Sequence, residues 1–165
     1  MSLRPVLYAI DQQNVAGCGA ESCVKAVMLV GTPALWWLAV PVLLYTTWRM
    51  LVRRDWRYAV VWVGYCAGWL PWFAEIDRQM YFFYAATMGP FLAMGIALVL
   101  GDILYPPAAH TGPAQTKERR KLGLILVSCY VALVVTNFAW LFPILTGLPI
   151  SQQTWDMEIW LPSWR

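Results

Sequence analysis

Charge is what this sequence has least of. Its 165 residues include 12 Lys and Arg and 9 Asp and Glu, 13% of the chain, against 60% hydrophobic and 15% aromatic residues. With a mean hydropathy of +0.53, it lies outside the range of an ordinary soluble domain of this size and reads as an integral membrane protein. Histidine is nearly absent: His110 stands alone, in the Pro-rich connection Tyr105-Pro-Pro-Ala-Ala-His, where no catalytic role is expected. No second cysteine pair or histidine lies near Cys18 and Cys23, so no metal site is expected there, and no cofactor is implied anywhere. A secretory leader is also missing, since residues 1–23 mix Arg4, Asp11, Gln12, Gln13, Asn14 and Glu21 without an apolar core. The net charge of +3 does not indicate a nucleic-acid partner, because the basic residues gather in two short clusters beside apolar runs, which is a topology signal.

What is present is a series of apolar runs. The fold class expected is all-α and membrane-spanning, with four transmembrane helices at about 26–48, 58–73, 80–104 and 122–145. Pro33 lies in the opening turns of the first, and Pro41 inside it predicts a kink. Gly64-Tyr-Cys-Ala-Gly68 in the second is read as a packing motif, and Pro71 ends or bends that helix. Residues 74–79 are too few for anything but a tight reversal, so spans two and three should be antiparallel neighbours. Ala85, Gly89, Ala93 and Ala97 are expected to form a close-packing seam, with Pro90 interrupting the run. Asp102 is expected to snorkel to water or to pair with a basic residue of the following loop, and Thr136 and Asn137 in the fourth span need partners at depth.

Two basic clusters, Arg49 to Arg57 and Lys117 to Lys121, belong on the cytoplasmic side by the positive-inside rule. Both termini and the reversal at 74–79 are then extracytoplasmic, where six of the nine acids fall. Three parts follow: an extracytoplasmic segment at 1–25, a four-helix domain at 26–147, and a Trp-rich extracytoplasmic tail at 148–165, which reads as interfacial or protein-docked. Cys18 and Cys23, five positions apart, either close a small disulfide loop in that oxidising compartment or remain free thiols on a loop. A polar first segment already outside suggests the C-terminal part of a longer multi-span protein, or a reading frame opened at an internal Met. A multi-pass place in the cell membrane is expected, among its lipids.

The most unusual chemistry gathers at the reversal. Glu75, Asp77 and Arg78 are flanked by Trp69, Trp72, Tyr81 and Tyr84, rings suited to headgroup depth. Arg78 just before a helix start is suited to holding a lipid phosphate, with Tyr81 on its face and Tyr84 somewhat off that stripe. A plainer reading has Arg78 anchoring a helix and pairing with Glu75 or Asp77. The two carboxylates are poorly placed as an acid/base pair, because residues two apart do not face each other on a helix and no nucleophile accompanies them.

The run Trp56-Arg-Tyr, Gly64-Tyr-Cys-Ala-Gly-Trp-Leu-Pro-Trp-Phe and Asp77-Arg-Gln-Met-Tyr-Phe-Phe-Tyr-Ala, with the terminal Leu148-Pro-Ile-Ser and Trp160-Leu-Pro-Ser-Trp-Arg, closely resembles the C-terminal four-helix part of actinobacterial protein O-mannosyltransferases. The resemblance implies a C-type glycosyltransferase that moves mannose from a polyprenyl-phosphate-mannose lipid to Ser or Thr hydroxyls of exported proteins during Sec translocation. It also implies that the catalytic acidic loop lies in an N-terminal half with no counterpart here, so this chain is expected to be inactive alone. Arg78 matches the arginine that opens the family's aromatic motif, whereas the histidine of eukaryotic members is replaced within Tyr-Phe-Phe-Tyr. The alternative is a non-enzymatic four-helix scaffold or lipid-binding subunit.

Overall fold

The computed structural model describes residues 6–11, 17–20, 22–74, 81–105 and 113–159, and its helices begin where prolines allow. Pro33 opens the short helix α1, Pro33–Trp36. Helix α2, Ala39–Val52, carries Pro41 in its first turn. Without an N–H, Pro41 cannot bond back to Trp37, so the helix breaks at Trp37 and Leu38 rather than kinking at Pro41. Helix α3, Trp56–Trp69, starts at the N-cap Asp55, whose side chain accepts from the Arg57 N–H. Pro71 ends it in a 3-10 turn, Leu70–Ala74. A second 3-10 helix, Phe82–Thr87, precedes α4, Gly89–Leu104, with Pro90 in the first turn of α4. Helix α5, Pro113–Thr146, is the longest.

The expectation of an all-helical chain needs correction, because a small sheet is present. Strands β1, Val6–Asp11, β2, Cys23–Leu29, and β3, Pro149–Ser151, lie in the order β1-β2-β3, each pair antiparallel. Ala26 to Leu29, expected to begin the first span, alternate in β2 instead: Val24, Ala26 and Met28 point into a core with Leu141, Ile144, Ile150, Trp155 and Ile159. Period-two burial and a β-branched-rich run favour a strand over a helix turn there. The other expected spans shift as well. The second becomes α3 plus a 3-10 turn, the third is split at Met88, and the fourth extends back to Pro113, taking the basic residues 117–121 into the helix.

Gly147, at φ 74, lets the chain leave α5 and enter β3, with the Leu148 N–H donating to the Pro143 carbonyl at 3.0 Å. Helix α6, Gln152–Glu158, follows from the N-cap Ser151, whose Oγ accepts from the Thr154 N–H. Trp155 of the tail is therefore docked on the chain's own sheet; Trp160 and Trp164 lie outside the described residues.

A second core unites the helices through Ala39, Val42, Tyr65, Ala85, Met88, Leu92 and Ile96. Helices α3 and α4 pack antiparallel: Gly68 faces Met88, Gly64 faces Phe91, and Tyr58 reaches Asp102. Of the expected small-residue seam, Ala85 is packed in this core but Ala93 and Ala97 are exposed, while Met88, Leu92, Gly95 and Ile96 are buried. A strict four-residue spacing drifts around a helix of 3.6 residues per turn, and the restart at Pro90 resets the phase.

Two helical stretches are long and apolar enough to cross a membrane, Pro33–Val52 and Lys117–Thr146. Their outward surfaces are apolar: Trp37 just before α2, Val40, Leu44 and Leu51 of α2, and Leu133 and Val135 of α5 are among the most exposed large residues. With the mostly helical architecture, these surfaces fit a membrane protein.

Candidate functional site

Around the α3–α4 reversal the aromatic side chains contact one another in sequence. Trp69 packs edge-on against Tyr65 and Phe73, with centroids at 6.3 and 5.4 Å. Trp72 lies 4.3 Å from Tyr84, Tyr84 lies 4.1 Å from Phe83, and Phe83 stacks on Tyr81. Phe82 turns the other way, edge-on to Trp36 at 5.1 Å and against Gly31, where a Cβ would lie 2.1 Å from its ring. The reversal is thus pinned to the strand-to-helix connection after β2.

Tyr81 is the N-cap of the 3-10 helix and Tyr84 donates its N–H to the Tyr81 carbonyl at 3.1 Å. Tyr81 itself is extended, at φ −99° and ψ 152°, so it is linked to Tyr84 by that turn bond and by Phe83, whose ring touches both; both tyrosines are half-buried. Glu75, Asp77 and Arg78 lie outside the described residues. Cys18 and Cys23 are joined as a disulfide with Cα atoms 5.9 Å apart, at the turn leading into β2.

A polar node lies at the opposite end of the helices. One oxygen of Asp102 accepts from the Tyr45 hydroxyl at 2.8 Å and from the Tyr58 hydroxyl, and pairs with the Arg49 guanidinium at 3.3 Å. Arg49 also pairs with Asp55 at 3.4 Å and sits 5.0 Å over the Tyr58 ring. Arg57 holds Asp55 through two side-chain bonds of 2.8 and 3.0 Å, which keep the Asp55 carboxyl below the usual range. Asp102 thus binds a residue of the preceding basic cluster, not of the following loop. Its signal was available: Tyr45 and Arg49 are one turn apart on α2, and an acid in an apolar helix needs a cation within reach.

Asn137 also finds its partner across helices. Its Oδ1 accepts from the Ala34 N–H at 3.2 Å, while the Tyr130 hydroxyl donates to the Ala34 carbonyl at 3.1 Å. Thr32, the N-cap of α1, makes no side-chain cap bond. Helix α5 therefore supplies the cap from outside.

Glu158 was not singled out by its sequence. It is 3% exposed, neither carboxylate oxygen has a hydrogen-bond partner among the described residues, and burial pushes its carboxyl up to about 7. The spacing from Trp155, one turn earlier on α6, could have placed it on the inward face.

No protein-family model and no solved structure matches the chain. Whole-length similarity exists to proteins named polyprenol-phosphate-mannose–protein mannosyltransferase. Identity over all 165 residues is 82% to that of Mycobacterium tuberculosis, 71% to that of Mycolicibacterium smegmatis and 38% to that of Corynebacterium glutamicum. The chain spans about 30% of the length of each of these relatives. Each match runs across the whole chain, so what the chain is similar to is one portion, about 30%, of a polyprenol-phosphate-mannose–protein mannosyltransferase.

Proposed function

We propose that this chain acts as the C-terminal membrane portion of a protein mannosyltransferase. The transfer takes mannose from a polyprenyl-phosphate-mannose donor to Ser or Thr hydroxyls of exported proteins in the cell membrane, alongside the Sec translocon. The observation that carries the reading is the 82% identity across the entire chain to a protein of that name.

In this reading the chain crosses the bilayer four times, with both ends outside. Helix α3 and its 3-10 turn together rise about 31 Å, and the second 3-10 helix with α4 about 36 Å, against a hydrocarbon core of about 30 Å. One sheet holds strands from both ends of the chain, as an even number of crossings requires. The reversal with Arg78, Tyr81 and Tyr84 then sits at the outer surface. Arg78 grips the donor phosphate with paired N–H groups, and the tyrosines line the acyl or sugar side. As the acceptor oxygen attacks the anomeric carbon, the bond to the phosphate oxygen breaks and negative charge grows on the leaving lipid phosphate; the guanidinium offsets it. The acceptor proton goes to a carboxylate that this chain does not supply.

Co-expression with the remaining portion of the M. tuberculosis relative is expected to give lipid-dependent mannosylation of a Ser/Thr acceptor. In that pair, Arg78→Ala should lower kcat/KM for donor at least about tenfold, the scale of one charge-assisted bond. Unchanged donor use would remove Arg78 from the site. No transfer under any pairing would favour a non-enzymatic scaffold.

A further inference from the structure

At the corner between α2 and α3, Arg49 is taken up by Asp55 and Asp102, and Arg57 by Asp55. Four arginines thus meet two acids. The excess falls on Arg53 and Arg54, both exposed and without an ion pair among the described residues; Arg53 lies 5.8 Å over the Trp48 ring. Directly after this corner, a groove of about 380 Å³ opens between α3 and α4, bounded by Trp56, Arg57, Val61, Met94, Ala97 and Leu98. One turn beyond Val61, the Phe91 ring lies on Gly64 and fills the space between the helices. Apart from Arg57 at the mouth, the lining is hydrocarbon and Trp56. A second groove of about 400 Å³ between α2, α4 and α5 has Tyr45 and Tyr130 but no cation in its lining.

We propose that corner and groove form one site for an anionic glycerophospholipid, its phosphate on Arg53 and Arg54 beside Arg57, one acyl chain laid along α3 and α4 over Ala97. Charge selects the occupant: net positive charge stands at one end of an apolar slot, and only a ligand with an anionic head and a hydrocarbon tail satisfies both. The volume lies in the range of small-ligand sites, about 300–1,000 Å³. The exposed Ala97, too small to close the slot, leaves room for the tail. The proposal rests on the four-crossing arrangement above, but not on mannosyl transfer.

The test is native mass spectrometry of the full 165-residue chain in micelles doped with equal phosphatidylglycerol and phosphatidylcholine of identical acyl chains. Retention of phosphatidylglycerol over phosphatidylcholine is expected, and Arg53→Gln with Arg54→Gln should reduce that preference by about fivefold for each arginine. Ala97→Phe, at an exposed position, should lower retention of both lipids, while Lys117→Gln with Lys121→Gln should change nothing. Equal retention of the two lipids, a preference that survives the double glutamine variant, one that falls as much with the lysine pair, or retention unaffected by Ala97→Phe would each overturn the site. Because the readout is binding, a failed transfer assay leaves it intact.

Discussion

Glu158 is a buried carboxyl with no hydrogen-bond partner among the described residues. Its carboxyl has an ordinary value of 4.5 and stands at about 7 in the fold, raised by burial. A folded value above the unfolded one means the native state holds its proton more tightly. Stability is then full below about pH 4.5, declines as pH rises towards 7, and stays reduced above it, by on the order of 3 kcal/mol. Glu158→Gln should keep the neutral shape and lose the titration. Hydrogen exchange in α6 at pH 8 is expected to be slower in the variant than in the parent, and similar in both at pH 4.5. Equal exchange at pH 8 would mean that Glu158 finds a compensating partner. The sequence around it, Trp-Asp-Met-Glu-Ile, offers two acids of which one is buried and one exposed. Composition cannot choose between them, because the choice depends on which side of a seven-residue helix meets the sheet.

At the scale of elements, glycine and proline carry most of the readable information. Pro33, Pro71 and Pro90 each mark a helix boundary, since a missing N–H is best tolerated in a first turn; Pro143, near the end of α5, is an exception. The Gly64–Gly68 pair marks where α4 comes close: a Cβ on Gly64 would lie 2.2 Å from the Phe91 ring, and one on Gly68 2.8 Å from Met88. Gly64→Ala should therefore lower the unfolding midpoint, by about 1–3 kcal/mol of overpacking, and Phe91→Leu in the same chain should recover part of it. No recovery in the double variant would show that the helices do not meet at this pair. The alanines at 93 and 97 look equally helical in sequence and face outward, because small residues mark a possible contact and the neighbouring helix decides which one is used.

At the scale of the whole molecule, the side of the membrane that each loop occupies decides what it can meet. An alkaline phosphatase reporter fused after residue 165 should be active, and a cytoplasmic fluorescent reporter inserted at residue 112 should fluoresce. The opposite pattern would invert the proposed topology and place Arg78 away from a donor presented outside. The apolar outward face of α5 is compatible with lipid or with further protein, since the relatives are about three times longer than this chain.

What the sequence determined by itself is the medium and the punctuation. Hydropathy favours a membrane setting, prolines mark most of the helix starts, and the motifs from Trp56 to Ala85 carry the family resemblance. What only the tertiary structure decided is partnership across distance. Ala26 to Leu29 are apolar enough for either a span or a strand, and they become a strand because β1 and β3 arrive to pair with them. Asp102 could reach a cation on either flank, and it takes Arg49 because α2 and α4 pack side by side. The 3-10 turn that sets Tyr84 against Trp72 likewise comes with Phe82 meeting Trp36 and Gly31. In each case the local preference is worth a fraction of a kcal/mol per residue, about what a single packed or hydrogen-bonded contact overrides.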